Sequence, residues 1–184
     1  LSEMLRSYVI MGGLPEAVQV FTETNSYLEV AEVHKQLCQS YIQDFSRFPG
    51  SIDRDCLRVV FEQIPRSIGK RIKYTSLYPE KRIERIKESL NLLEAALLVN
   101  KVYSSRGSGL PLGTGITSKV FKCVFLDVGL MNYLCGVDPG DILTGANLSG
   151  LFRGSIAEQL VGQAVLLEGG SEGERLYYWQ RNKK

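Results

Sequence analysis

The stretch PEKRIERIKESLNLLEAALLVNKVYSSRGSGLPLGTGITSKVFKCVFLDV, Pro79 to Val128, decides the fold. Its first part, Pro79 to Leu98, reads as a helix: Ile83, Ile86, Leu90, Leu93 and Leu97 recur at helical spacing. Leu92, Ala95 and Ala96 lie on the other side, so the C-terminal half is expected to be buried all round. LVNKVYSS then reads as a strand, RGSGLPLGTGITSK as a Gly-rich loop and VFKCVFLDV as a second strand. A helix feeding a two-stranded hairpin, after an upstream helix, is the pattern of a winged helix. Such units are commonly nucleic-acid readers and sometimes only packing or dimerisation modules.

Working outward, the upstream helix is expected from Ser51 or Asp53 as N-cap through Ile64, with Leu57, Val60, Phe61 and Ile64 facing the core. Pro65 is expected to start a separate piece, RSIGKRIKYTSLYP. Pro49-Gly50-Ser51 marks a boundary. Before it, three helices are expected: residues 1–10, broken by Gly12-Gly13; LPEAVQVF, with Pro15 in its first turn; and about Tyr27 to Phe48 after the turn Thr24-Asn25-Ser26. After the hairpin, Asp127 is placed to cap the helix of VGLMNYLCG. Asp138-Pro139-Gly140-Asp141 is a turn, residues 141–153 read as loop and short helix, GSIAEQLVGQAVLLE as a helix and RLYYWQ as a strand. The class is therefore α+β.

Charge is unevenly spread. The formal net charge is +2, yet residues 51–125 carry 14 Lys and Arg against 7 Asp and Glu, while the rest of the chain is net negative. A localised positive field suits a polyanionic partner, duplex DNA first, or an acidic protein surface. Lys81, Arg82 and Arg85 stand at the start of the expected recognition helix, where base edges and phosphates are reached. Lys70, Arg71 and Lys73 add to the same field, and Arg106 with Lys119 would make wing contacts. Glu84 and Glu88 share the outward face with Lys81 and Arg85, and a mixed-charge face also fits simple solvation or protein docking.

Other classes are excluded or left without support. No apolar run approaches the roughly 20 residues that span a bilayer, so no membrane partner is expected. The chain opens LSEMLRSYVI, without the basic n-region of a signal peptide, and both ends read as cut from a larger protein. Cys38, Cys56, Cys123 and Cys135 form no C-x-x-C pair, so reduced, buried thiols in a cytoplasmic protein are expected. His34, the sole histidine, shares a helix face with Cys38, but two ligands do not hold zinc, and no metal site is expected. Gly107, Gly109, Gly113 and Gly115 lack the Lys-Ser/Thr that a phosphate-binding loop requires, and no G-x-x-x-x-G-K-[ST] occurs anywhere.

Several segments in order, YVIMGGLPEAV, SYIQDFSRF, the hairpin stretch with its LPL, FKCVFLDVGLMNYL, GSIAEQLV and LYYWQR, resemble the domain of unknown function 4143. That domain follows the ATPase module in a family of bacterial and archaeal AAA-type ATPases. The resemblance covers nearly the whole chain. It implies a helical segment at 1–50, a winged helix at 51–126, and at 127–184 the truncated start of a restriction-endonuclease-like α/β domain. It also implies an N-terminal ATPase domain in the full-length protein, using ATP and Mg, with no cofactor in this part. Glu158 would match the early catalytic Glu of the nuclease-like fold, whose later Asp and Glu-x-Lys would lie beyond Lys184. One carboxylate cannot hold a catalytic Mg²⁺, so this part is expected to be inactive by itself. Three readings follow: a non-catalytic, target-engaging part of an AAA-type ATPase; a DNA-binding module serving a linked nuclease; or a protein-docking module without nucleic-acid affinity.

Overall fold

The computed structural model describes residues 3–105, 119–145, 148–168 and 176–179. The class is α+β, with nine helices and four strands among the described residues. Three helices come first: α1 (Glu3–Met11), α2 (Pro15–Thr24) and α3 (Tyr27–Phe45). Then follow α4 (Arg54–Ser67), β1 (Ile72–Lys73), α5 (Tyr74–Leu77), α6 (Ile83–Ala95), β2 (Val99–Ser105) and β3 (Val120–Phe125). The chain continues through α7 (Val128–Leu134), α8 (Pro139–Thr144), α9 (Gly150–Glu168) and β4 (Tyr177–Trp179). The Gly-rich loop between β2 and β3, including Arg106, lies outside the described residues.

The sheet has the order β1-β3-β2-β4. β3 runs antiparallel to both β1 and β2, and β4 joins β2 in parallel, Tyr103 facing Tyr177. Strand alternation puts Phe121, Cys123 and Phe125 on one face, where α4 and α6 pack. Lys122 and Val124 point to the other face, under α9, where Gly162 lets the helix settle directly on Val124. Phe61 links the layers: its ring lies 5.6 Å from Phe45 of α3 and 5.7 Å from Phe125 of β3. Most of the core is one cluster reaching from Val9 to Ile156, so it crosses all three expected segments. Ala17, Val30 and Val33 form a small satellite between α2 and α3.

Ser26 and Asp53 cap α3 and α4 as their positions suggest, accepting from the Glu29 and Cys56 amides. Four boundaries differ from expectation. Helix α3 ends at Phe45, not Phe48. Pro65 does not open a new piece; it sits buried in the last turn of α4. In the last turn its missing N–H costs the helix a single backbone bond, the one to the Phe61 carbonyl. Helix α6 begins at Ile83, with Arg82 in its N-cap position, because Pro79 to Lys81 form a turn instead. It also ends early. The Leu98 amide donates to the Leu93 carbonyl and the Leu97 amide to Glu94, the pairing of a Schellman cap. Leu97 therefore takes φ +59°, is 70% exposed, and leaves the apolar stripe to which its spacing assigned it.

A left-handed Leu costs about 1–2 kcal/mol, and Gly in its place would return most of that, less about 0.5–1 kcal/mol of extra unfolded-chain entropy. Leu97→Gly is expected to raise stability by about 0.5–1 kcal/mol, or the melting temperature by about 1–4 °C for a chain of this size. A thermal melt followed by circular dichroism checks it, and an unchanged or lower midpoint would show that the cap carries no strain.

Candidate functional site

The positive residues around α5 and α6 are the first candidate site, and the structure divides them. The carboxyl of Asp53, already the α4 N-cap, receives the Lys81 ammonium at 2.9 Å. Asp55 sits 3.7 Å from the same ammonium and accepts from the Tyr78 hydroxyl. Hydrogen bonds from Lys81, then from the Cys56 amide, hold the Asp53 carboxyl below the usual carboxylate range. The Asp53 carboxylate in turn raises Lys81 above the ordinary lysine range. Arg85 pairs with Glu88 at 2.9 Å and donates to the Ser51 carbonyl at 2.9 Å. Of the three cations expected at the start of the recognition helix, Lys81 and Arg85 thus tie the start of α6 to the segment that opens α4. The pattern was hidden in sequence because Lys81 and Asp53 stand 28 positions apart.

The remaining cations are freer. Lys70 donates to the Arg66 carbonyl. Arg71, Lys73 and Arg82 are exposed and have no ion-pair partner among the described residues. Lys87 lies 5.4 Å from the centre of the Tyr74 ring. Helix α6 itself carries Glu84, Glu88 and Glu94 against Arg85 and Lys87, so it presents no positive field of its own.

Glu158, the nuclease candidate, takes both its oxygens to Lys122 of β3, at 2.7 and 2.8 Å. Lys122 also lies 5.4 Å from the Tyr178 ring centre. The carboxyl thus bolts α9 to the sheet. No group of three or more His, Cys, Asp or Glu able to hold a metal occurs among the described residues. His34 is buried and its Nε2 donates to the Met11 carbonyl at 3.1 Å; burial lowers its pKa, opposed by the nearby Asp127 and by that hydrogen bond. Burial pushes the Cys38 thiol up to about 12 and raises Cys123 too, so neither is a ready thiolate nucleophile or ligand.

A second constellation was only half visible in sequence. Asp127 is 2% exposed. One oxygen accepts from the Leu130 amide at 2.9 Å, capping α7, and the other from the Gly13 amide at 2.8 Å. Gly12 (φ +74°) lies against that carboxyl: a Cβ there would stand 2.0 Å from Oδ1. Gly129 sets α7 against the Met11–Gly12 backbone, where a Cβ would stand 2.6 Å from the Gly12 nitrogen. Asn132 adds a hydrogen bond to the Val9 carbonyl at 2.8 Å. The quoted YVIMGGLPEAV and FLDVGLMNYL segments are therefore the two sides of one packing joint.

The fold and these sites define an α+β chain in which Lys81, Arg85, Glu158 and Asp127 hold its own elements together, while Arg71, Lys73 and Arg82 stay exposed. The chain belongs to the family described as Domain of unknown function (DUF8612), which matches residues 2–141. Neither a curated protein nor a solved structure matches the chain. The resemblance to the domain of unknown function 4143 is thereby corrected, because the matching family is a different one and nothing in the match links it to AAA-type ATPases. The physical reason lies in the motifs that carried it. In this chain they serve packing, helix on helix at Gly12 and Gly129 and helix on sheet at Glu158, and so specify a joint rather than an activity. The upstream ATPase domain with its ATP and Mg, and the nuclease role of Glu158, rest on that resemblance alone and lose their support with it. No helix among the described residues is long and apolar enough to cross a membrane.

Proposed function

We propose that this chain is a non-catalytic docking module built on a winged helix, and that it engages protein rather than duplex DNA. The helix-strand-helix-helix-strand-strand order of α4 to β3, with β3 between β1 and β2, supports the winged-helix reading. The engagement of Lys81 by Asp53 carries the docking reading. A lysine that must leave two carboxylates to reach a phosphate gains little by the exchange, and the acidic Glu84 and Glu88 beside it repel the same phosphate. Duplex DNA is the second reading, favoured by the exposed Arg71, Lys73 and Arg82.

Titration of a labelled duplex with the 184-residue chain at several salt concentrations separates the two. No binding below about 100 µM is expected even at low salt. Micromolar affinity that falls steeply with salt, and that Arg71→Glu and Lys73→Glu abolish, would replace the docking reading with the DNA one.

A further inference from the structure

Helix α9 is apolar all round, which is the pattern of a helix covered on both sides. One side is accounted for: Ser155, Ile156, Gln159 and Gly162 are buried. On the opposite side Ala157, Val161, Ala164 and Val165 are exposed, Val161 at 63%, with Leu151 and Leu167 more than 80% exposed on its flanks. A solvent-facing side would ordinarily carry charge. Here the helix has three charged residues, Arg153, Glu158 and Glu168, and Glu158 is turned to Lys122.

We propose that two copies of this chain pair through the outer face of α9, antiparallel, about a two-fold axis between residues 160 and 161. This rests on the docking reading and names its partner. The sequence of the helix is self-complementary in that arrangement. Ala157 of each copy meets Ala164 of the other, so the backbones approach closely at the crossing. Arg153 meets Glu168, and the symmetry makes that pair twice. Arg153 already donates to the Gly145 carbonyl, which orients the guanidinium and leaves further donors for a carboxylate. A parallel pairing would instead set Arg153 on Arg153 and Glu168 on Glu168, so charge selects the antiparallel one.

The test is the mass of the 184-residue chain by sedimentation equilibrium from about 1 to 200 µM. A concentration-dependent dimer is expected. Val161→Glu should weaken it about tenfold or more, with an unchanged thermal melt at the dilute end of that range, where the chain is monomeric and Val161 is exposed. Arg153→Glu should weaken dimerisation, and adding Glu168→Arg should restore it. A monomer throughout that range, a dimer indifferent to Val161→Glu, or a double variant that fails to recover would each overturn the pairing. The outcome is separable from the duplex titration. Duplex binding by a dimer sinks the docking reading and leaves the pairing, while a monomer that ignores duplex does the reverse.

Discussion

Asp127→Ala is expected to destabilise the chain by about 3–5 kcal/mol, a large share of the 5–15 kcal/mol that holds an ordinary domain together. Its carboxyl serves two backbone amides, the buried one of Leu130 and that of Gly13, an exposed residue whose bond to it is half-buried, 114 positions upstream of Asp127. Removing an N-cap alone costs about 1 kcal/mol. The larger part comes from the Leu130 amide, left buried without an acceptor at about 1–3 kcal/mol, and from the tie to the Gly13 amide that closes the joint. Gly12 makes the site unforgiving in the other direction, since its missing Cβ is the space that the carboxyl fills. Asp127→Asn separates the causes. It keeps the size and one acceptor oxygen but turns an NH₂ toward one of the amides, so it should lose about half as much. Urea unfolding followed by circular dichroism gives both values. A loss under about 1 kcal/mol for the alanine variant would mean that the joint between α1 and α7 is held by apolar packing and the Asn132 hydrogen bond without the carboxyl.

Which features could be read beforehand follows from the range of the interactions. Caps are local: Ser26, Asp53 and Asp127 each accept from an amide three residues on, and each could be named from its position. The hairpin of β2 and β3 was legible because strand alternation and the Gly-rich break are local too. The α6 terminus was not, although it is local, because apolar spacing runs straight through Leu97 and nothing in a Leu announces φ +59°. Pro65 is ambiguous for a related reason: a proline costs little in either the first or the last turn of a helix, and propensity does not say on which side of a boundary it falls. The candidate site was the least legible part. Lys81 and Arg85 look like an outward positive edge until Asp53 and Ser51, about thirty positions upstream, are brought beside them. Spacing places a cation on a helix face; it does not say whether another helix is waiting there with a carboxylate. The same holds for Glu158, whose motif suggested chemistry and whose partner Lys122 explains it structurally.

Gln159→Leu should be nearly as damaging as Asp127→Ala, at about 2–4 kcal/mol, and for a reason peculiar to this sheet. β1 is two residues long and pairs only with Val120 and Phe121, so β3 runs on past its neighbour. At Phe125, 1% exposed, Gln159 stands in for the missing strand: its Oε1 accepts from the Phe125 amide at 2.9 Å and its Nε2 donates to the Phe125 carbonyl at 2.6 Å. Gln163 extends the relay, accepting from Gln159 and donating to the Leu126 carbonyl. A primary amide is the one side chain that offers a donor and an acceptor with the spacing of a peptide group. Leucine fills the same volume and satisfies neither atom, in a setting where Gln159 itself is 0% exposed. Gln159→Glu tests the donor alone, because a carboxylate would face the Phe125 carbonyl with a second acceptor; it should be no better than leucine. Hydrogen exchange gives a local readout beside the unfolding free energy: the Phe125 amide should lose protection by more than its neighbours on β3. If its exchange is unaltered in a folded Gln159→Leu protein, the sheet edge is held by β2 alone, and α9 rests on the sheet through Gly162, Val124 and the Glu158–Lys122 pair without this peptide-like bridge.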